Sequence, residues 1–154
     1  MPMKLDPLDR RILNVLQHDG RIANNELAAK VGRSPSPCLR RVRMLEEAGV
    51  IGRYVAVIDP VKAGVSLTFF VRIGLEARDE ETVQKFVTAM SALDQVVECY
   101  LMLGDCDALL RVVAVDMEDY RRFQAVHLTR ANGIQTVRTD VPSQTIKQTL
   151  APPL

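Results

Sequence analysis

An α+β chain made of two small domains is predicted by three observations. Apolar residues in the first third repeat at helical spacing, with a stop signal after each segment. Near residue 51 the period changes to alternation. Beyond residue 66, alternating and helical segments follow one another in the order β-α-β-β-α-β. A length of 154 residues with 47% hydrophobic content suits two compact units, each with a packed core.

The first helix opens at Asp6-Pro7, an N-cap followed by proline at a position where its missing N–H costs nothing. Leu8, Ile12, Val15 and Leu16 form its stripe, and Gly20 is expected to end it. A second helix is expected from Asn24, with Leu27, Ala28 and Val31 inward and Gly32 as its stop. Ser34 caps the third, Pro35 takes its first turn, and Gly49 closes it. Two helices separated by a glycine and a few residues form a helix-turn-helix.

The third helix divides its faces. At about 100° per residue, Cys38, Leu39, Val42 and Leu45 share one side, while Ser36, Pro37, Arg40 and Met44 lie opposite with Arg41 and Arg43 on the flanks. No acid occurs from Arg33 to Met44. Basic, small and methyl-bearing side chains at the start of the second helix of such a motif are what major-groove reading requires. Arg33, Ser34, Ser36, Pro37, Arg40, Arg41 and Arg43 are the candidate DNA contacts. Overall charge hides this asymmetry. Residues 1–60 carry ten Lys/Arg against seven Asp/Glu, net +3, whereas residues 61–154 carry ten against twelve, net −2.

Ile51 to Ile58 reads as a β-ribbon or wing, closed by Asp59-Pro60, which sets the domain boundary between residues 60 and 61. Val61 to Ser66 is a hinge. Domain one is a winged helix-turn-helix over 1–60, and domain two spans 61–154.

In the second domain, Leu67, Phe69, Val71, Ile73 and Leu75 alternate as a strand with one deeply buried face. Residues 80–93 read as a helix with Val83, Phe86, Val87 and Met90 inward. Strands at 96–103 and 108–115 flank a turn at Gly104-Asp105-Cys106-Asp107. Asp116 caps a helix carrying Tyr120 and Phe123, Asn132-Gly133 ends it, and Ile134 to Val141 is the last strand. This order is the ferredoxin-like βαββαβ motif, with both helices on one side of the sheet. The other side would carry Phe70, Arg72, Glu98, Tyr100, Met102, Leu109, Arg111, Val113, Ile134 and Arg138. An apolar face of that size predicts a homodimer. The tail from Ala151 to Leu154 is expected to fray.

No apolar run approaches the ~20 residues of a membrane span, and the start lacks a signal-peptide pattern. A cytoplasmic protein is expected, with Cys38, Cys99 and Cys106 as reduced thiols, no metal site and no cofactor.

Several stretches resemble the Lrp/AsnC family, the leucine-responsive and asparagine-synthase regulators. They are Leu8-Asp9-Arg10-Arg11-Ile12-Leu13 with Asp19-Gly20-Arg21, the run from Ser34-Pro35-Ser36-Pro37-Cys38 to Arg43, and Gly49-Val50-Ile51. Glu98-Cys99, Gly104-Asp105-Cys106-Asp107 and Val137-Arg138-Thr139 are similar to that family's sensory domain. Two departures stand out: Ala23 replaces a serine cap, which moves the cap to Asn24, and Asp140-Val141-Pro142-Ser143 interrupts the apolar end of the last strand. The resemblance implies a double-stranded DNA partner, dimers that assemble further to octamers, and control by amino acids. It also gives the Gly104 turn a binding role where turn chemistry alone would leave it structural. The expected effector site is Gly104, Asp105 and Asp107, with Tyr100, Met102 and Thr139 shaping the side-chain pocket.

The alternative is an enzyme, since sirohaem decarboxylases resemble this architecture. Against it, His18 and His127 are the only imidazoles, and no nucleophile triad, paired-cysteine motif or phosphate loop accompanies them. No catalytic residue is assigned. A third possibility, a sensing domain that has lost DNA binding, conflicts with the acid-free arginine cluster.

Overall fold

The computed structural model describes residues 4–154. They pack as two units. One holds the chain up to Val57 together with Ile146–Leu154, and the other holds Ile58–Thr145.

In the first unit, α1 (Pro7–Leu16), α2 (Asn24–Val31) and α3 (Pro35–Glu47) enclose a small core. Ile12, Leu27, Ala28, Val31, Cys38 and Leu45 are its most buried members. α1 starts as its sequence dictates. Asp6 accepts the Asp9 N–H and Asp9 accepts the Asp6 N–H, a reciprocal capping box with Pro7 in the first turn. Its C-cap is Gln17 and not Gly20. Gly20 serves packing instead, because a Cβ there would lie 3.2 Å from the Tyr54 ring.

α2 begins at Asn24, but Ala23 occupies the cap and offers no side-chain bond. The expected Asn24 cap is thus corrected: its amide nitrogen donates to the Pro35 carbonyl at 2.9 Å and ties α2 to the start of α3. Ser34 sits at the α3 cap without a side-chain bond. Between the two helices Gly32 adopts φ 69°, the left-handed turn that lets the Arg33 N–H reach back to the Ala28 carbonyl at 2.9 Å. A Cβ in that conformation is strained.

The expected strand at 51–58 is absent. The segment after Ile51 forms no strand and has no ladder partner, and Val55, Val57 and Ile58 are exposed. Alternation marks an extended chain; a strand also needs a neighbour to accept its hydrogen bonds. The tail packs with the first unit. Leu150, Pro152 and Leu154 line a groove of about 330 Å³ with Leu13, Leu16 and Val50 of the first unit.

The second unit is a four-stranded antiparallel sheet. β1 (Leu67–Leu75), β2 (Val96–Leu101), β3 (Ala108–Ala114) and β4 (Ile134–Asp140) lie in the order β2-β3-β1-β4. α4 (Glu80–Ser91) and α5 (Met117–His127) pack on one face, capped by Asp79 and Asp116. This is the ferredoxin-like arrangement read from the element order. The core is one layer between sheet and helices: Phe69, Val71, Ile73, Leu110 and Val112 meet Phe86, Met90, Tyr120 and Phe123. Phe69 and Tyr120 stack with ring centroids 3.9 Å apart. Each such side chain stabilises by about 1.5–3 kcal/mol on burial.

Two expectations for the sheet change. β2 stops at Leu101, so the connection to β3 is longer than the four-residue turn read from sequence. Ile134 is buried in the helix-side core, because the β1–β4 register shifts between Gly74 and Leu75 and moves it off the open face. Gly74 permits this close approach, since a Cβ there would collide with the Thr136 hydroxyl.

Candidate DNA interface and effector cleft

Cys38, Val42 and Leu45 bury one stripe of α3 and turn the rest of the helix outward. Arg33, Ser34, Ser36, Pro37, Arg40 and Arg43 are all exposed, and the three arginines have no ion pair among the described residues. These cations are therefore available to a polyanion. Leu39, expected inside, is 38% exposed and extends this surface with apolar area.

Arg41 does something else. Its Nε donates to Asp9 Oδ1 at 2.5 Å and its Nη2 to Asp9 Oδ2 at 3.1 Å, and the same nitrogen bonds Asp6. The guanidinium is engaged within the unit, unlike Arg33, Arg40 and Arg43. Sequence reasoning put Arg41 on a flank of the helix; the acceptor on α1 was not visible from α3 alone.

On the open sheet face of the second unit, a cleft of about 630 Å³ is lined by Phe70, Arg72, Met102, Leu103, Asp105 and Leu109, among others. Of the six expected effector residues, Met102, Gly104 and Asp105 line it. Gly104 adopts φ 155°, a backbone conformation that side chains disfavour. Tyr100 stands on the same face, as the cross-strand partner of Leu109, with its hydroxyl 3.4 Å from Glu98.

The remaining two go elsewhere. Asp107 accepts the Leu75 N–H at 2.8 Å and Arg78 Nε at 2.7 Å, so both its oxygens hold the end of β1 and the loop that follows it. It lines an adjoining recess with Arg78 and Val83, which shares Met102, Leu103 and Gly104 with the cleft. Thr139 hydrogen-bonds the Tyr120 hydroxyl of α5 and is paired with buried Val71, which puts it on the helix side of the sheet. Both are corrected as cleft residues. For Thr139 the cause is strand parity, since one position along a strand reverses the face; Asp107 precedes β3 and is held by its two hydrogen bonds.

Residues not expected in the effector site join it. A polar recess of about 120 Å³ is lined by Arg72, Asp105, Cys106, Thr136 and Arg138, among others, and it shares the first three with the larger cleft. Arg72 pairs with Asp140 at 3.1 Å, whereas Arg138 and Asp105 have no ion pair among the described residues. Arg111 and Glu98 pair at 2.7 Å on the same face.

Neither histidine forms a reactive group. His18 Nδ1 lies 2.8 Å from the Asn14 carbonyl past the end of α1, and the His127 ring packs 5.3 Å from Phe123. Among the described residues no cluster of His, Cys, Asp and Glu suits a metal ion, and no helix is long and apolar enough to cross a membrane.

Comparison with known proteins agrees with this division of labour. Residues 5–51 match the winged helix-turn-helix DNA-binding family, and residues 68–152 match the Lrp/AsnC ligand binding domain. The leucine-responsive regulatory protein of Escherichia coli strain K12 is 44% identical over 144 residues, covering 94% of this chain and 88% of that protein. A transcriptional regulator of Neisseria meningitidis, solved as a complex with L-Met, superposes with TM-score 0.93 at 33% identity, covering 97% of each chain. An AsnC family transcriptional regulator from Agrobacterium tumefaciens gives TM-score 0.89 at 41% identity, again covering 97% of each. Likeness to regulators over nearly the full chain removes the enzyme alternative. The chain belongs to the Lrp/AsnC family of DNA-binding transcription regulators.

Proposed function

We propose that this regulator reads a specific DNA sequence with the exposed face of α3, under the control of an amino acid held on the open sheet face of its second unit. The observation that carries the first half is the set of exposed arginines, Arg33, Arg40 and Arg43, without an ion pair among the described residues, before and along the first three turns of α3. Arg40 is the base reader, and Arg33 and Arg43 hold phosphates. Ser34, Ser36 and Pro37, exposed in the first turn, complete the surface.

The effector reading rests on complementary chemistry. The polar recess offers Arg138 and Arg72 to an α-carboxylate and Asp105 to an α-ammonium group. The adjoining cleft offers Phe70, Met102 and Leu109 to a side chain. The regulators most like this chain include one described as leucine-responsive and one bound to L-Met, which favours an apolar amino acid. Phe70, Tyr100 and Met102 also leave enough exposed apolar surface for a second protomer, so the working unit is a homodimer, assembling to octamers. An amino acid at such a seam shifts assembly by the difference in its affinity for the two arrangements.

The test is selection of fragments of the protein's own genome, with and without each amino acid. A defined recurring sequence, retained differently when one amino acid is present, is the expected result. Equal retention of all fragments under every condition contradicts the reading.

A further inference from the structure

The contact between Arg41 and α1 joins two structural devices that are normally separate. Asp6 and Asp9 close the capping box of α1, with N–H···O distances of 2.8 and 2.9 Å. The same two carboxylates take the guanidinium of Arg41, which lies 32 residues beyond Asp9 on the recognition helix. Asp9 is the only buried charged side chain among the described residues, at 0% exposure, while Arg41 remains partly exposed. A buried carboxylate is tolerated only when paired and hydrogen-bonded. Asp9 meets both conditions, but through a single cation.

We infer that Arg41 is a positioning residue for DNA recognition: its fork on Asp9 and Asp6 fixes the rotation of α3 about its own axis. The apolar seat of α3 is narrow, formed by Cys38, Val42 and Leu45. Apolar contact sets how deeply a helix sits but is non-directional. A bidentate guanidinium–carboxylate pair is planar and does set direction. Arg40 immediately precedes Arg41, and Arg43 follows two positions later, so any roll of α3 that breaks the fork also moves both groups offered to DNA. A buried ion pair of this kind contributes geometric uniqueness more than net stability. Lysine, a point charge on a flexible stem, cannot reproduce a fork shared between two carboxylates.

The inference rests on sequence-specific DNA binding by α3, and its test separates the two. The full chain and its Arg41→Lys, Asp9→Asn and doubly substituted forms are titrated with a selected genomic fragment and with an unrelated duplex, each across a range of salt. Wild type that does not discriminate the two duplexes refutes the proposed function itself. With discrimination established, both single variants are expected to lose at least about tenfold in the ratio of specific to non-specific affinity, the scale of one misplaced base contact. The salt slope of non-specific binding stays unchanged, and the double variant loses no more than either single one. Asp9 is buried and cannot touch a duplex, so its matching loss assigns the effect to position. If Asp9→Asn fails to fold, Asp6→Ser carries the same test, because serine keeps the helix cap and removes one arm of the fork. The inference is overturned if the variants keep the wild-type ratio. It is equally overturned if only the Arg41 variants weaken and an Arg41→Met form lowers the salt slope by about 0.9, the signature of a lost phosphate contact.

Discussion

Arg72 and Arg138 face each other directly across β1 and β4, and one counter-ion, Asp140, serves the pair through Arg72. Like charges directly opposite on a sheet destabilise it by a few tenths of a kcal/mol, up to about 1. An anion placed between the two guanidinium groups would relieve that repulsion. The expected outcome for Arg138→Gln is an unchanged or slightly raised melting temperature without ligand. The stabilisation by the effector, about 2.7 kcal/mol at a hundredfold excess over Kd, is lost. Thermal melts with and without the selected amino acid measure both. A full ligand-induced shift in the variant places the carboxylate elsewhere.

Asp107 is expected to behave as a structural residue. Asp107→Ala strands the Leu75 N–H at the end of β1 and releases Arg78, at a cost of about 1–3 kcal/mol. Asp107→Asn retains an acceptor for Leu75 and loses less. Urea unfolding midpoints rank the two variants. An alanine variant of wild-type stability that no longer binds the amino acid would return Asp107 to the binding site.

Asp9 is expected to contribute to the acid limb of stability in the first unit. Burial pushes its carboxyl upward, but the Arg41 guanidinium and the Asp6 N–H outweigh burial and hold it below the ordinary value of 3.8. A folded-state pKa below the unfolded one gives stability that is present above the unfolded value and lost as pH falls through the folded one. Circular dichroism from pH 6 downward is expected to show a flatter acid transition for Asp9→Asn than for wild type. An identical pH dependence would remove Asp9 from this role.

A charge placed on the open sheet face tests assembly. Tyr100 is exposed there, and Val113 lies half-buried opposite Thr68. Tyr100→Glu or Val113→Glu is expected to give monomers in sedimentation and to abolish tight operator binding, because two recognition helices must be held about one DNA turn apart. A monomeric wild type that binds its operator tightly contradicts the scheme.

Much of this architecture is legible in the sequence because it depends on local chemistry. Asp6-Pro7, Gly32 and Gly49 punctuate helices through backbone rules that act within a few residues. The alternation from Leu67 to Leu75 survives as a buried face. What sequence could not supply was pairing. The stretch after Ile51 has strand character and no partner. Ile134 changes sides because the bulge at Gly74/Leu75 overrides the period, and Thr139, one position from Arg138, faces the helices by strand parity. Arg41 and Asp107 look free in the sequence because their partners, the Asp9 carboxylate and the Leu75 N–H, lie 32 residues away in each case and are brought to them by the fold.

The most direct test of the central claim is the binding of Arg40→Ala to a selected operator, to single-base variants of it and to an unrelated duplex, at one salt concentration. Arg40 is exposed, unpaired and centred on the outer face of α3. The account predicts a loss of about 1–3 kcal/mol on the operator, relaxed discrimination at one base pair per half-site, and a smaller loss on the unrelated duplex. An equal loss on all duplexes, with base preferences intact, would contradict it.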